Sequence, residues 1–421
     1  MKIRILAFGS RGDVQPYVAL GVGLQRAGYE VAVGTTADFQ EFVESYGLVC
    51  IPAAADIHEF LTRSRKSTRS QAGGQRSSRA ERMALFNKLL DETYRLAAGA
   101  DVVIYSPAAV MAAPHVAEKM GVRSILAMLQ PYVHPTGDFP VIMLPPLSSA
   151  GWYNRLTYGL FDRLLWAFMG RPVNKWRQSA LDLPRAKGRP LANLRNAQTL
   201  TLYAWSPTVL PRPAEWSDEV QVTGYWFLDQ APGWEPDPAL LAFLEAGPPP
   251  VYVGFGSMSS QNPEQTAQMV LESFRRAGVR GVIASGWAGM AADDLPDDVF
   301  LIEKAPHDWL FPRMAAVVHH GGAGTTAAGL RSGVPSIVVP TRGDQPFWGR
   351  RVHELGCGPA PIPRKKITAD SLAAAMQVAT SDPVMRTRAA EVGAQIRAED
   401  GVGQAVWMIQ GVLGRPAGRP Y

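Results

Sequence analysis

A chain of 421 residues, 47% hydrophobic and 19% charged, is too long for one ordinary core and too apolar to be disordered. Its net charge of +5 is modest, its two cysteines, Cys50 and Cys357, lie outside any C-x-x-C spacing, and it has no run of about twenty apolar residues. A disulfide scaffold, a C-x-x-C metal or redox motif and a membrane-spanning protein are thereby excluded, leaving two globular domains with buried thiols in a reducing compartment.

The first predicted element is the apolar run Ile3 to Phe8, a strand that begins with no basic or cleavable leader pattern, so the expected location is the cytoplasm. Gly9-Ser10-Arg11-Gly12 breaks it. A helix is expected from Val14 to Ala27, with Asp13 as its N-cap or as a functional carboxylate, and a second strand at 31–34. This β-α-β unit places a charged loop at the carboxyl end of its first strand, where open parallel sheets bind ligands. Residues 63–82 hold seven Lys and Arg against one Glu with no aromatic between them, which suits a solvated loop better than a nucleic-acid arm. Strands are expected within 100–107 and 122–132. The helical stretch that follows carries Trp152, Phe161, Trp166, Phe168 and Trp176, aromatics suited to a core, a pocket or transient contact with a membrane surface.

Two more strands, within 199–207 and 220–227, complete the first half, residues 1–228. The Pro-rich and acidic segment 229–248 reads as a linker, 249–402 as a second α/β domain, and 403–421 as a last helix that returns to the first domain. The second domain repeats the rhythm: a strand at 251–253, a helix near 263–276, then short apolar runs ending in small or polar residues. The expected fold class is α/β, two facing Rossmann-like doubly wound domains with a cleft between them.

The strongest chemical signal is "VVHHGGAGTTAAGL". A strand ends at His319-His320, and glycines lead straight into a helix whose first N–H groups form an anion site. A diphosphate fits there, with a His donating a hydrogen bond. Farther on, Asp344-Gln345 sets a carboxylate beside an amide, a pair suited to a sugar's vicinal hydroxyls. The Lys of a G-x-x-x-x-G-K-[ST] loop is missing, and no D-x-D triplet occurs to bridge a metal to a diphosphate.

Three motifs in this order, "GSRGDVQPYVALG" at 9–21, "PHDWLF" at 306–311 and "HHGGAGTT…GDQPFWG" at 319–349, resemble the UDP-glycosyltransferase superfamily of GT-B fold, its sterol glucosyltransferase and bacterial natural-product branch above all. The resemblance spans nearly the whole chain. It implies an inverting, metal-independent hexosyltransferase without a resident cofactor. The amino-terminal domain would bind an apolar hydroxylated acceptor (a sterol, triterpenoid or polyketide) and the other domain the nucleotide sugar, UDP-glucose or alternatively a TDP-deoxysugar. Asp13 matches the base, with Gly12 beside it. His319 matches the histidine on the diphosphate, surrounded by His320, Gly321, Gly322, Gly324 and Thr325, and Ser257 matches a further diphosphate contact. Asp344 and Gln345 match the sugar-holding pair, Ala305 and His307 the segment that meets the base, and Trp287 a residue flanking it. Lys304 stands where the plant enzymes carry Trp, and the first His of the chain, His58, lies far from the opening loop.

Two other classes compete. "GFGSMS" approximates the dinucleotide fingerprint G-x-G-x-x-G, but Ser259 replaces its third Gly and no acid ends the next strand to hold a ribose. A non-catalytic nucleotide-sugar-binding protein of the same fold would bind a donor without turnover.

Overall fold

The computed structural model describes residues 1–54, 79–144, 146–186, 188–189, 191–192, 199–228, 234–255, 263–284 and 295–413. The chain divides into two compact units. Met1–Pro207, Pro211–Leu228 and Asp400–Tyr421 form the first; Thr208–Leu210 and Asp229–Glu399 form the second.

In the first unit, β1 (Lys2–Leu6), α1 (Arg11–Arg26), β2 (Glu30–Thr36), the short α2 (Gln40–Glu44) and β3 (Val49–Ala53) run in succession. They are followed by α3 (Arg79–Leu96), β4 (Val102–Tyr105), α4 (Ala113–Met120), β5 (Arg123–Met128), the 29-residue α5 (Gly151–Ser179), β6 (Thr201–Tyr203) and β7 (Val220–Val222). The strands form one sheet in the order β3-β2-β1-β4-β5-β6-β7, every pair parallel. Both faces are covered, so the central strands are apolar throughout: all four residues of β4 are buried. Of the basic segment 63–82, residues 63–78 lie outside the described residues and the rest opens α3.

The second unit begins with α6 (Pro238–Glu245), inside the stretch expected to be a linker. Asp237 caps it, accepting a hydrogen bond from the Ala239 N–H at 2.9 Å, with Pro238 at the first helical position, and Leu240 enters a core cluster. Then come β8 (Val251–Gly254), α7 (Pro263–Ala277), β9 (Gly281–Ala284), β10 (Val299–Ile302), α8 (His307–Leu310), β11 (Ala316–His319), α9 (Ala323–Ser332), β12 (Ser336–Val338), α10 (Gln345–Glu354), α11 (Ala369–Ser381) and α12 (Pro383–Ala398). The sheet order is β10-β9-β8-β11-β12, again all parallel. Alternate residues of β8 feed opposite layers: Val251 and Val253 join Val270, Phe274 and Met376, whereas Tyr252 joins Leu310, Phe311 and Val317.

The chain then returns to the first unit as α13 (Gly401–Leu413), whose Ala405, Val406 and Ile409 share a cluster with Ile5, Leu20 and Val33. Cys357 is buried and Cys50 only half-buried; burial pushes both thiols up to about 11. No helix among the described residues is long and apolar enough to cross a membrane.

Candidate active site

The opening loop folds around one carboxylate. Ser10 is the N-cap of α1 and the helix starts at Arg11, three residues before the sequence-based expectation, so Asp13 is the third helical residue and not the cap. Its Oδ2 accepts from the Ser10 N–H at 2.7 Å and from Ser10 Oγ at 2.7 Å. These bonds satisfy a donor that the helix itself leaves orphaned. Gly9 has φ +146°, and a Cβ added there would lie 2.5 Å from Asp13 Oδ2, so only glycine lets the loop close over the carboxylate. Gly12 sits exposed on the same turn.

Beside Asp13 is a cavity of about 150 Å³, a size that admits one six-membered ring. Phe8, Tyr17, Pro107 and Leu129 give it apolar walls, and Asp13, Ser106 and Gln130 give it polar ones. Its segments follow β1, β4 and β5, so it opens at the switch point where the strands after β1 and β4 proceed in opposite directions. Tyr17 is a fixed wall: its hydroxyl donates to the Ala127 carbonyl at 2.8 Å, and burial, helped by Tyr132 and Asp13, raises its pKa well above the ordinary phenol value. Ser106 Oγ is buried without a hydrogen-bond partner among the described residues. Ser106 and Gln130 escape a reading by motif; only the sheet order brings them to Asp13, whereas Tyr17 stands one helical turn beyond it on α1.

In the second unit the glycine loop joins β11 to α9, next to β8 and so at that sheet's own switch point. The two histidines part company here. His319 is fully buried; its Nδ1 accepts the Gly321 N–H at 3.0 Å, which leaves the ring proton on Nε2. That Nε2 is buried without a partner among the described residues and lies 3.6 Å from where a Cβ on Gly329 would sit, beneath α9. Burial, with His320 and His307 adding to it, pushes the ring's pKa down to about 3. A ring with no exposed surface, its proton aimed under a helix, does not fit the expected contact of His319 with a diphosphate.

His320 is half-buried, its ring Nε2 2.6 Å from the position of a Cβ on Gly322, the N-cap of α9. The imidazole therefore lies across the amino end of that helix, and burial lowers its pKa, so the ring is neutral. The helix end carries no side-chain cap and no acid in its first turn; Gly324 is exposed and Thr325 half-buried. Gly321 turns the chain at φ +83°, where a Cβ would stand 2.6 Å from Val338 and 3.1 Å from the Gln345 carbonyl, so the loop abuts the start of α10.

Asp344 caps α10 and accepts from Trp348 Nε1 at 3.1 Å. Gln345 Oε1 accepts from the backbone N–H groups of Thr341 at 2.8 Å and Arg342 at 3.3 Å, so its carbonyl oxygen already shapes the loop between β12 and α10. Ala305 is half-buried just before α8, and His307 stacks on Phe311 at 4.2 Å with its plane tilted by 15°. Ser257 and Trp287 lie outside the described residues.

Two family models match. Residues 3–132 match the glycosyltransferase family 28 N-terminal domain, and residues 282–404 match the C-terminal domain of erythromycin biosynthesis protein CIII-like proteins. Over 418 residues the chain is 36% identical to a sterol 3-beta-glucosyltransferase of Arabidopsis thaliana, covering 96% of this chain and 67% of that one. A sterol 3-beta-glucosyltransferase of Yarrowia lipolytica is 36% identical over 97% of this chain, which spans only 28% of the yeast protein's length. Among solved structures, the glycotransferase of kitacinnamycin superposes with a TM-score of 0.72 at 21% identity, over 97% of this chain and 98% of that one.

Proposed function

Because the chain belongs to the UDP-glycosyltransferase superfamily and has its GT-B fold, we propose that it is an inverting hexosyltransferase that moves glucose from UDP-glucose to the hydroxyl of a sterol. The observation that carries the reading is the 36% identity that runs along 96% of the chain, both units included. In this reading the first unit takes the acceptor, with its hydroxyl-bearing ring in the cavity beside Asp13. The second takes the nucleotide sugar, with its diphosphate at the amino end of α9.

The chemistry is one displacement. Asp13 accepts the acceptor's hydroxyl proton as the oxygen bonds to the anomeric carbon, and the bond from that carbon to the diphosphate oxygen breaks. Negative charge gathers on the leaving diphosphate. The N–H groups at Gly324 and Thr325 and the imidazole N–H of His320 stabilise it there, His320 taking the part expected of His319. Asp344 and Gln345 hold sugar hydroxyls, the Gln345 amide doing so while its oxygen stays on the loop. Attack from the opposite face turns an α-linked donor into a β-linked product. The nucleotide sugar is a co-substrate, and no resident cofactor takes part.

One observation favours a second reading: the match of residues 282–404 to the erythromycin CIII-like domain suits a TDP-deoxysugar and a polyketide acceptor. Purified protein incubated with a sterol or a polyketide aglycone, and with either UDP-glucose or a TDP-deoxysugar, decides between them. A β-glucoside formed from UDP-glucose supports the first reading. Transfer only from TDP-sugars to a polyketide supports the second, and donor binding without any product overturns both.

A further inference from the structure

We propose that the solvent face of α5 is a docking surface for an anionic lipid bilayer. Five large apolar side chains stand exposed on this helix at intervals of four: Trp152 at 69%, Leu156, Leu160, Leu164, and Phe168 at 71%. Each interval of four advances the strip about 40° around the axis, so over about 24 Å of helix it winds through about 160°, within one half of the circumference. The charged residues on that side are cationic. Arg163, Arg171 and Lys175 are exposed and make no ion pair among the described residues, whereas Arg155 is paired with Glu215 at 2.6 Å. The helix's one acid, Asp162, is fully buried, bonded to the Leu191 N–H and 3.9 Å from Arg189.

The inner face is unusually polar for an amphipathic helix, although Tyr158, Val173 and Trp176 are buried there too. It buries Asn154, whose Nδ2 donates to the Gly137 carbonyl, and Thr157, whose Oγ1 accepts from Val141 N–H. Asn174 and Arg177 are buried as well, the latter on Glu118 and the Pro184 carbonyl. Polar groups that could face water are thus satisfied inside, while leucines, a Trp and a Phe are held in water. Folding alone does not call for that exchange; a second apolar phase does. Phe161 and Trp176 do belong to the core side, against Tyr132 and Asp91.

Charge selects the occupant. Two copies meeting through this face would set its cations against each other with no acid to pair them, which disfavours a symmetric dimer. A bilayer bearing anionic headgroups offers apolar depth and negative charge together, the combination that interfacial helices use. The inference stands apart from the reaction proposed above, since it rests on α5 alone.

Flotation of the full chain with vesicles of phosphatidylcholine, and of phosphatidylcholine mixed with phosphatidylserine, tests it. Binding should require phosphatidylserine and weaken as salt rises. Trp152→Gln with Phe168→Gln should weaken it about tenfold or more, and Arg163→Gln, Arg171→Gln and Lys175→Gln together by about a hundredfold, about fivefold per charge. Melting temperatures should be unchanged, as every altered side chain is exposed. Failure of the wild type to float, or variants that float as it does, would overturn the proposal. So would a dimer in solution that the Trp152→Gln, Phe168→Gln variant dissolves, which would assign the strip to a second copy. A loss of turnover on a detergent-solubilised acceptor, with flotation intact, would assign it instead to acceptor binding.

Discussion

Replacing Asp13 separates chemistry from folding, because its structural role can be weighed bond by bond. Oδ2 holds the Ser10 N–H and the Ser10 hydroxyl, both at 2.7 Å. Asp13→Asn keeps an acceptor oxygen in the same place, so it forfeits only the charge: the charge assistance of those bonds and about 0.3–1 kcal/mol of attraction to the helix's amino end. A total near 1 kcal/mol is expected. Asp13→Ala removes the acceptor as well and strands the Ser10 N–H, for a total near 2 kcal/mol. If the carboxylate is the base, turnover falls by about two to four decades in both variants. Affinity for UDP-glucose, which the proposal places on the other unit, should hold. If Asp13 only holds Ser10 in the capping box of α1, activity follows stability instead: Asn is nearly wild type, and Ala is the worse of the two. Initial rates with labelled UDP-glucose, donor titrations and thermal unfolding on the two purified variants distinguish these patterns. Full turnover in Asp13→Asn, with deamidation excluded by mass spectrometry, would refute the catalytic role.

The remaining expectations can be checked with single substitutions. His320→Ala removes one hydrogen bond to a charged oxygen, about 1.5–3 kcal/mol, and should slow turnover by about one to two decades at unchanged melting temperature; unaltered kcat would return the diphosphate to another group. His319→Asn, whose Oδ1 can replace Nδ1 as acceptor for the Gly321 N–H, should keep donor affinity that His319→Leu loses; equal donor affinity in the two variants would show that this bond does not position the loop. The same Asn variant tests a pH effect. Folded His319 is held near 3 while the unfolded ring titrates near 6.5, so its stabilisation is present above pH 6.5 and is lost as pH falls towards 3. The wild type's stability advantage over His319→Asn should therefore shrink by up to ~1.4 kcal/mol per pH unit in urea titrations below 6.5. Ile409→Ala, near the end of α13, should destabilise the first unit by about 2–4 kcal/mol, seen as hydrogen-exchange protection lost in β1 and α1 and not in α9.

The strand-helix rhythm was legible because parallel strands buried on both faces must be short apolar runs, as in Val102–Tyr105 and Val251–Gly254. The same burial hid which histidine lies across the amino end of α9. Alternation of polar and apolar residues marks the faces of a half-exposed strand, but β11 is buried throughout, and nothing in "AVVHH" tells the parity of His319 from that of His320. Register separates the two: Val317 and His319 point under α9, towards Gly329. The start of α1 was misplaced for another reason. The expectation followed the first apolar periodic residue, Val14, and passed over Ser10-Arg11-Gly12-Asp13, whose hydroxyl and carboxyl three apart are a capping signature in plain view. The aromatic content of α5 gave no direction either, since aromatics lie on both faces, Tyr158 and Trp176 buried and Trp152 and Phe168 exposed.

The two helix ends also explain why the halves of the chain suit different ligands. Each follows a central strand at its sheet's switch point, and each has the partial positive charge of an amino end. At α1 that charge is met from within: Asp13 lies in the first turn, bound back to Ser10, and a second anion there would face a fixed carboxylate. The site beside it suits a neutral group with a proton to give up, such as a hydroxyl. At α9 the cap is a glycine, the first turn has no acid, and His320, neutral and laid across the cap, adds a donor without a charge that must be desolvated. Such an end suits an anion brought from outside and released again, since a permanently protonated imidazole would hold the spent diphosphate more tightly. The sequence difference between the two loops, an acid at the third helical position in one and Gly-Gly-Ala-Gly-Thr in the other, is the physical ground on which the proposal gives the acceptor to the first unit and the donor to the second.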